Sequence, residues 1–208
     1  MVIRSGNFYK NEESKISDYL ALIIFNFCGA IALVSFGNLA KFILGLEVLS
    51  ISLYILAGSK RKDPRSNEAA MKYFLMGSFA SGVLLFGIAL VYGETGSFDL
   101  KGIYEYTTTN SPSPLYFIGA GMIMIAMLFK VSAAPFHFWA PDVYDGAPTL
   151  TTIMMATVAK IAAFAAFYRL FSTAFFASFS TYAWVLSAVA GLTMIIGNFS
   201  ALHQDSFK

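Results

Sequence analysis

The sequence predicts an all-α polytopic membrane protein with six transmembrane helices, the fourth of them broken near Pro135. Three observations predict it. Hydrophobic residues make up 57% of the 208 positions and charged residues 12%, with a mean hydropathy of +0.65, whereas a soluble domain carries about 25% charged residues. A bilayer core of about 30 Å takes about 20 mainly apolar residues per helix, and six such runs follow one another. Within the fourth run, Lys130 stands five residues before Pro135, followed by the dense set His137, Trp139, Pro141, Asp142, Tyr144, Asp145, Gly146 and Pro148. Proline lacks the amide donor and clashes with the carbonyl four residues back, here Val131, so the helix breaks just after the lysine.

The polar arm 1–18 has no apolar core and no small-residue cleavage site, so a signal peptide is not expected and the first membrane segment does the targeting. That segment, 19–36, is continuously apolar. The second, 39–57, carries Glu47 near its centre. The loop GSKRKDPRSNE leads to the third, 69–92, which holds Lys72. The stretch GETGSFDLKGIYEYTTTNSPSP comes next, and its Gly, Pro and Thr content argues against a regular element. The fourth segment, 115–139, contains Lys130 and the break. The fifth, 149–171, has Lys160 near its middle. The sixth, 182–202, has no charge. Small residues recur on the third (Gly77, Ser78, Ala80, Ser81, Gly82) and the sixth (Ser187, Ala188, Ala190, Gly191), a pattern that suits close helix packing.

Lysine and arginine placement sets the expected orientation. Arg4, Lys10, Lys15, Lys60, Arg61, Lys62, Arg65 and Lys208 fall on one side, against Lys41, Lys101 and Arg169 on the other. The positive-inside rule places the first side in the cytoplasm. Both termini and the HFWAPDVYDG loop are then cytoplasmic, and the Gly/Thr-rich loop faces out.

Glu47, Lys72, Lys130 and Lys160 lie within spans, where ionisable residues usually face a protein interior or a water pathway. Glu47 is about 15 Å deep, at 1.5 Å per residue. Consecutive antiparallel helices let Glu47 and Lys72 pair, either as a proton switch or as a static pin between helices, while Lys72 also has the option of snorkelling to the near interface. Lys130 beside a broken helix reads as a proton-relay node, because non-helical backbone at membrane depth survives only in protein or along a watery cavity. Its competing role is to cap a helix dipole near the interface. Lys160 stands near the midplane beyond Thr151, Thr152 and Thr157, whose hydroxyls also suit bonds to their own helix backbone. His137 is a candidate for proton exchange with the cytoplasm or for loop packing, and Pro135 for gating. Asp142 and Asp145 flank the fifth helix as structural residues, with Asp145 as a cap ahead of Pro148.

Other chemistries are disfavoured. One cysteine, Cys28, excludes an intrachain disulfide and a thiolate cluster, and a single histidine at the break is poor metal evidence. No Ser-His-Asp set, P-loop or GxGxxG run is present. The net charge of +2, without a basic stripe, gives no reason for a nucleic-acid partner.

The runs GLEVLSISLYIL (Glu47), SNEAAMKYFLMGSFASGVLLFGIALVYGETGSFDL (Lys72), FKVSAAPFHFWAPDVYDGAP (Lys130) and ATVAKIAAF (Lys160) together resemble the subunit N family of proton-pumping NADH–quinone oxidoreductase (respiratory complex I). PFHFWAPDVYDGAP is the most specific of them. Its Lys, Pro-x-His and Trp-x-Pro-Asp pattern is shared with subunits L and M and with multisubunit sodium/proton antiporters, whereas Asp-Val-Tyr-x-Gly-Ala-Pro is similar to subunit N. The resemblance implies a fold of fourteen helices with two inverted five-helix repeats, each holding a broken helix. It further implies that Glu47 and Lys72 form the glutamate–lysine pair, Lys130 the lysine at the first break and Lys160 the linking lysine of a hydrated mid-membrane charge axis.

The resemblance also implies that this chain holds no cofactor. NADH, FMN, iron–sulfur clusters and quinone belong to other parts of the assembly, and the partners are subunit M, small membrane subunits and the lipid of a bacterial inner membrane. The six helices correspond to the fourth through ninth of the family. Residues 19–171 are then a five-helix repeat, 172–208 the start of a second one, and the chain reads as a fragment that is not a complete proton path by itself. Two alternatives stand beside this: a subunit of a sodium/proton antiporter, and a structural anchor whose buried charges only hold helices together.

Overall fold

A computed structural model describes residues 16–204. Among these residues the chain is helical apart from short turns and one isolated bridge. The elements are α1 (Ile16–Val34), α2 (Leu39–Ala57), α3 (Pro64–Thr95), α4 (Leu100–Thr109), α5 (Pro114–Val131), α6 (Ala140–Gly146), α7 (Thr149–Met154), a π-helical turn (Met155–Ala159), α8 (Lys160–Ser172), a 3-10 turn (Phe176–Ser178) and α9 (Phe179–Leu202). Among the described residues, six helical stretches are long and apolar enough to cross a membrane: α1, α2, α3, α5, the run Thr149–Ser172, and Phe176–Leu202. All six expected segments are therefore present. Of the positions used for orientation, Arg4, Lys10, Lys15 and Lys208, with most of the polar arm, lie outside the described residues.

Helix ends follow the local sequence. Asn38 caps α2 by accepting from the Lys41 amide at 2.8 Å. Asp63 caps α3 by accepting from the Arg65 amide at 3.0 Å, with Pro64 in the first turn, where its missing N–H leaves nothing unpaired. Gly96, at φ 65°, ends α3 in the left-handed region, which glycine enters without steric cost. The third span is longer at both ends than the expected 69–92.

Close packing rests on glycine where two backbones touch. A Cβ on Gly29 would lie 2.4 Å from the Leu49 amide, and one on Gly45 would lie 2.7 Å from the Leu33 amide, so α1 and α2 meet almost backbone to backbone. Gly87 and Gly119 do the same for α3 and α5, each blocked at 2.8 Å by the other's carbonyl oxygen. Such approach is what small residues supply between membrane helices. Large buried side chains, among them Leu33, Phe36, Leu49, Leu53, Tyr73, Tyr116 and Phe175, fill the centre. α9 lies outermost, with Trp184, Met194, Phe199 and Leu202 exposed. It is tied on by the Tyr182 hydroxyl donating to Phe117 O (2.8 Å) and by Thr193 Oγ1 accepting from the Ala134 amide (2.9 Å).

Two elements differ from expectation. The Gly/Thr-rich stretch holds α4, a two-faced helix that buries Leu100 and Ile103. Its start is fixed to the head of α2, where the Leu39 amide donates to Phe98 O at 2.8 Å and the Leu100 amide to Gly37 O at 3.2 Å. Asp145 is not a helix cap either. It belongs to the last turn of α6, and α7 begins behind Pro148 with no side-chain cap bond.

The two ends of the bundle are distinct. The 58–63 loop, the foot of α1 (Tyr19 hydroxyl to Ser59 O, 3.0 Å), α6 and the end of α9 share one end. The α1–α2 turn, α4 and the end of α8 share the other, where the Arg169 guanidinium donates to Val34 O at 3.3 Å. The HFWAPDVYDG loop and the Lys60–Arg65 loop are thus on the same side, as the charge distribution requires.

Candidate site at the broken helix

The site begins where α5 stops. Ser132 adopts φ 58°, its amide donates to Phe129 O (3.0 Å), and the Ala133 amide reaches back to Leu128 O (2.9 Å). This paired closure is a Schellman ending with serine where glycine is usual. Pro135 lies beyond, at a cis peptide bond, and the chain runs through a tight turn to Trp139 before α6 starts. The break falls where the proline argument put it, at Val131.

Carbonyls freed by the break are satisfied from elsewhere. The Lys160 ammonium donates to Val131 O and, at 2.6 Å, to Ser132 Oγ. Trp139 Nε1 donates to Phe129 O at 3.2 Å. A cation at a helix C-terminus is favoured by the macrodipole. The dipole cap considered for Lys130 is therefore supplied by Lys160, from a different helix. Lys160 opens α8 directly after the π-helical turn Met155–Ala159, and single-turn π insertions occur frequently at functional sites. The threonines ahead of it are structural. Thr157 Oγ1 donates to Ile153 O on its own helix, Thr152 Oγ1 to Tyr144 O, and Thr151 Oγ1 to Leu56 O across to α2.

Lys130, 6% exposed, points the other way. Its ammonium donates to Ser50 Oγ at 2.6 Å and lies 3.5 Å from the Tyr73 hydroxyl, within 5.9 Å of the Tyr54 and Tyr73 ring centres. Aromatic faces stabilise a desolvated cation. Tyr73 stacks on Trp139 (4.8 Å, 10°), Trp139 stacks on Phe129 (5.5 Å), and Lys160 lies 5.7 Å from the Trp139 ring. Lys130 therefore lies against Tyr73 and Lys160 against Trp139, two rings of one aromatic stack. Neither residue was singled out with a role from the sequence, although Trp139 sits inside the conspicuous PFHFWAPDVYDG run.

Glu47 and Lys72 do not meet as expected. The Glu47 carboxylate accepts from Ser81 Oγ on α3. Lys72 points to the bundle end, where its ammonium meets Asp142 Oδ2 and Glu68 Oε1, both at 2.7 Å. The physical reason is depth. Lys72 sits only about two turns into α3, so its stem reaches a turn of acidic side chains sooner than it reaches Glu47. Asp142, expected to flank the fifth helix as a structural residue, pairs with Lys72. Together with Arg65, Asp145, His203 and Gln204 these residues line a polar cavity of about 400 Å³ open at that end. His137 lies in the turn after Pro135, with a buried Nδ1 that meets no protein partner. Among the described residues, no group of three or more His, Cys, Asp or Glu side chains converges as a metal site.

Residues 37–208 match the family described as "NADH:quinone oxidoreductase/Mrp antiporter, TM". The chain belongs to this family. A curated relative named NADH-quinone oxidoreductase subunit N from Flavobacterium psychrophilum is 52% identical over 208 residues, covering all of this chain and 46% of the relative. One of the same name from Cytophaga hutchinsonii is 51% identical over 201 residues, covering 96% of this chain and 43% of the relative. The chain thus spans about half the length of the curated relatives it matches. Among solved structures, respiratory complex I from Thermus thermophilus contains a similar chain (36% identity, TM-score 0.77, 93% of this chain and 41% of that one). The Mrp complex from Dietzia sp. contains another (25% identity, TM-score 0.81, 89% and 35%). Family membership gives the protein as an integral membrane, antiporter-like chain.

Proposed function

We propose that this chain is part of a proton-translocating membrane subunit of NADH–quinone oxidoreductase, moving protons along Glu47, Lys130 and Lys160 while electron transfer takes place in other subunits. The observation that carries the proposal is the convergence of two ammonium groups on one helix break. Lys160 holds the freed Val131 carbonyl, and Lys130, one residue before that carbonyl, is buried against Ser50 and Tyr73, with Tyr73 stacked on Trp139. Buried charge is expensive, and groups placed so are usually proton carriers in membrane proteins. The names of the curated relatives quoted above support the redox-driven pump over an antiporter.

In this proposal the 400 Å³ polar cavity is the aqueous mouth on the cytoplasmic side, and Lys72–Asp142 sits at its rim. Residues 19–171 form one five-helix transport unit, and 172–208 open the next. The partners are other membrane subunits of a bacterial inner-membrane complex, an antiporter-like subunit M and small membrane subunits among them. NADH, FMN, iron–sulfur clusters and quinone are carried by the rest of the assembly.

The deciding experiment places Lys130→Ala and Glu47→Ala in the full-length parent within its complex, and measures NADH-driven proton uptake into inverted membrane vesicles. Each change is expected to reduce uptake severely in an assembled complex. Normal uptake per NADH with both changes in place would overturn the proposal. The likeness to the Mrp complex keeps a cation/proton antiporter as the second reading. Sodium-driven collapse of a pH gradient in vesicles without NADH would select it.

A further inference from the structure

We infer that Ser50 and Ser81, with one water between them, carry the proton between Lys130 and Glu47. The inference rests on the proposed function and names the residues that connect its two charged ends. Glu47 and Ser50 are three residues apart on α2, on one face of the helix. The Lys130 ammonium donates to Ser50 Oγ at 2.6 Å, and Ser50 is fully buried. On the facing helix α3, Ser81 Oγ donates to Glu47 Oε1. The two hydroxyls do not touch each other.

What joins them is a cavity of about 10 Å³ whose wall includes Ser50, Tyr54, Gly77, Ser81 and Lys130. About 10–15 Å³ of such space, with two to four polar partners, is enough for one water. Ser50, Tyr54, Ser81 and Lys130 bring polar groups to its wall, beside apolar residues such as Leu46, Leu84 and Phe129. Glu47 itself does not line the cavity, so Ser81 is the contact through which the water reaches the carboxylate.

The space depends on Gly77. A Cβ there would overlap the Tyr54 hydroxyl, and both residues line the cavity, so a larger residue must reshape that wall.

The proton balance is complete within these groups. Ser50 Oγ donates to Leu46 O at 2.5 Å while its lone pair receives the Lys130 N–H. In the transfer its O–H turns from Leu46 onto the water. Lys130 then gives a proton to Ser50 as Ser50 gives its own to the water, the water gives one to Ser81, and Ser81 gives its proton to Glu47. Lys130 ends as a neutral amine and Glu47 as a carboxylic acid, with both serines and the water restored. No oxidant, metal or further base takes part.

The test uses proton uptake by vesicles holding the full-length parent in its complex, with assembly checked on native gels. Ser50→Ala and Ser81→Ala are each expected to slow uptake by about tenfold or more, with Ser50→Thr and Ser81→Thr, which keep the hydroxyl, restoring most of it. Gly77→Ala is expected to slow uptake as the cavity wall is reshaped. A purely structural role for the serines would reduce assembly and would not track the hydroxyl. If Ser50→Ala does not assemble, Ser81→Ala, at a half-buried position, decides. Parental uptake in the assembled Ser81→Ala complex overturns the relay. Lys130→Ala combined with Glu47→Ala in the same assay separates the two levels: normal uptake with both changes overturns the proposed function, whereas uptake lost with them but parental in the assembled Ser81→Ala complex overturns only the serine relay.

Discussion

Lys72 and Lys160 are both lysines within spans, yet their surroundings give them opposite energetic weight. Lys72 has Glu68 and Asp142 at 2.7 Å, but its side chain is 37% exposed and the carboxylates are 63% and 60% exposed. Ion pairs this wet are screened by solvent and add little to stability. Lys72→Gln is therefore expected to leave the denaturant midpoint in detergent nearly unchanged. Lys160→Met removes the donor to Val131 O and Ser132 Oγ at a half-buried site. An unsatisfied buried carbonyl costs about 1–3 kcal/mol, so this variant is expected to melt clearly earlier than Lys72→Gln in the same experiment. Equal melts for the two would mean that the break is not held by Lys160. Sequence alone marked both lysines as unusual, because a charge in an apolar run is visible in one dimension. It paired Lys72 with Glu47, because a side chain's choice among three nearby carboxylates depends on direction and depth.

At the scale of elements, the broken helix is the most legible feature and α4 the least. Val131 loses its helical partner because Pro135 has no amide, a rule that operates within five residues of chain. What stabilises the resulting gap is not local. Trp139 covers it by donating to Phe129 O and stacking between Tyr73 and Phe129. Trp139→Ala is expected to destabilise the bundle by about 3–5 kcal/mol, with Trp139→Phe losing markedly less because the stack survives. Thermal melts of the two variants, compared with Tyr73→Phe, check this. Gly119→Val is expected to force α3 and α5 apart, since its side chain would meet the Gly87 carbonyl. The outcome is poor assembly, visible as lost membrane-inserted protein. α4 escaped the sequence because its Gly, Thr and Tyr content is weakly helical. It forms because Leu100 and Ile103 find a buried place and its N-terminal end is tied to the head of α2.

For the whole molecule, the two ends of the bundle carry the proposal that one faces the cytoplasm. In a Cys28→Ser background, Lys62→Cys is expected to react with a membrane-impermeant maleimide only from the cytoplasmic side, and Thr108→Cys only from the outside. Labelling with the sides exchanged would reverse the orientation and put the polar cavity on the wrong face for proton entry from the cytoplasm. The charge bias behind this prediction is a property of loops and needs no tertiary structure. The exposed apolar flank of α9, by contrast, has no signature of its own, because lipid-facing and protein-facing apolar residues look alike in a membrane sequence.

The sequence by itself determined the six spans, the break after Lys130, the sharing of one end by the Lys60–Arg65 and HFWAPDVYDG loops, and the set of ionisable groups placed in apolar surroundings. Each follows from local rules: bilayer thickness, the missing proline amide and the free energy of charge in lipid. Only the tertiary structure decided which groups meet. Glu47 met Ser81, Lys72 met Asp142, Lys130 met Ser50, and Lys160 met the open end of α5. Hydrogen bonds act over about 3 Å, and the helix rotations that bring two side chains within that range are set by glycine contacts and aromatic packing spread along the whole chain.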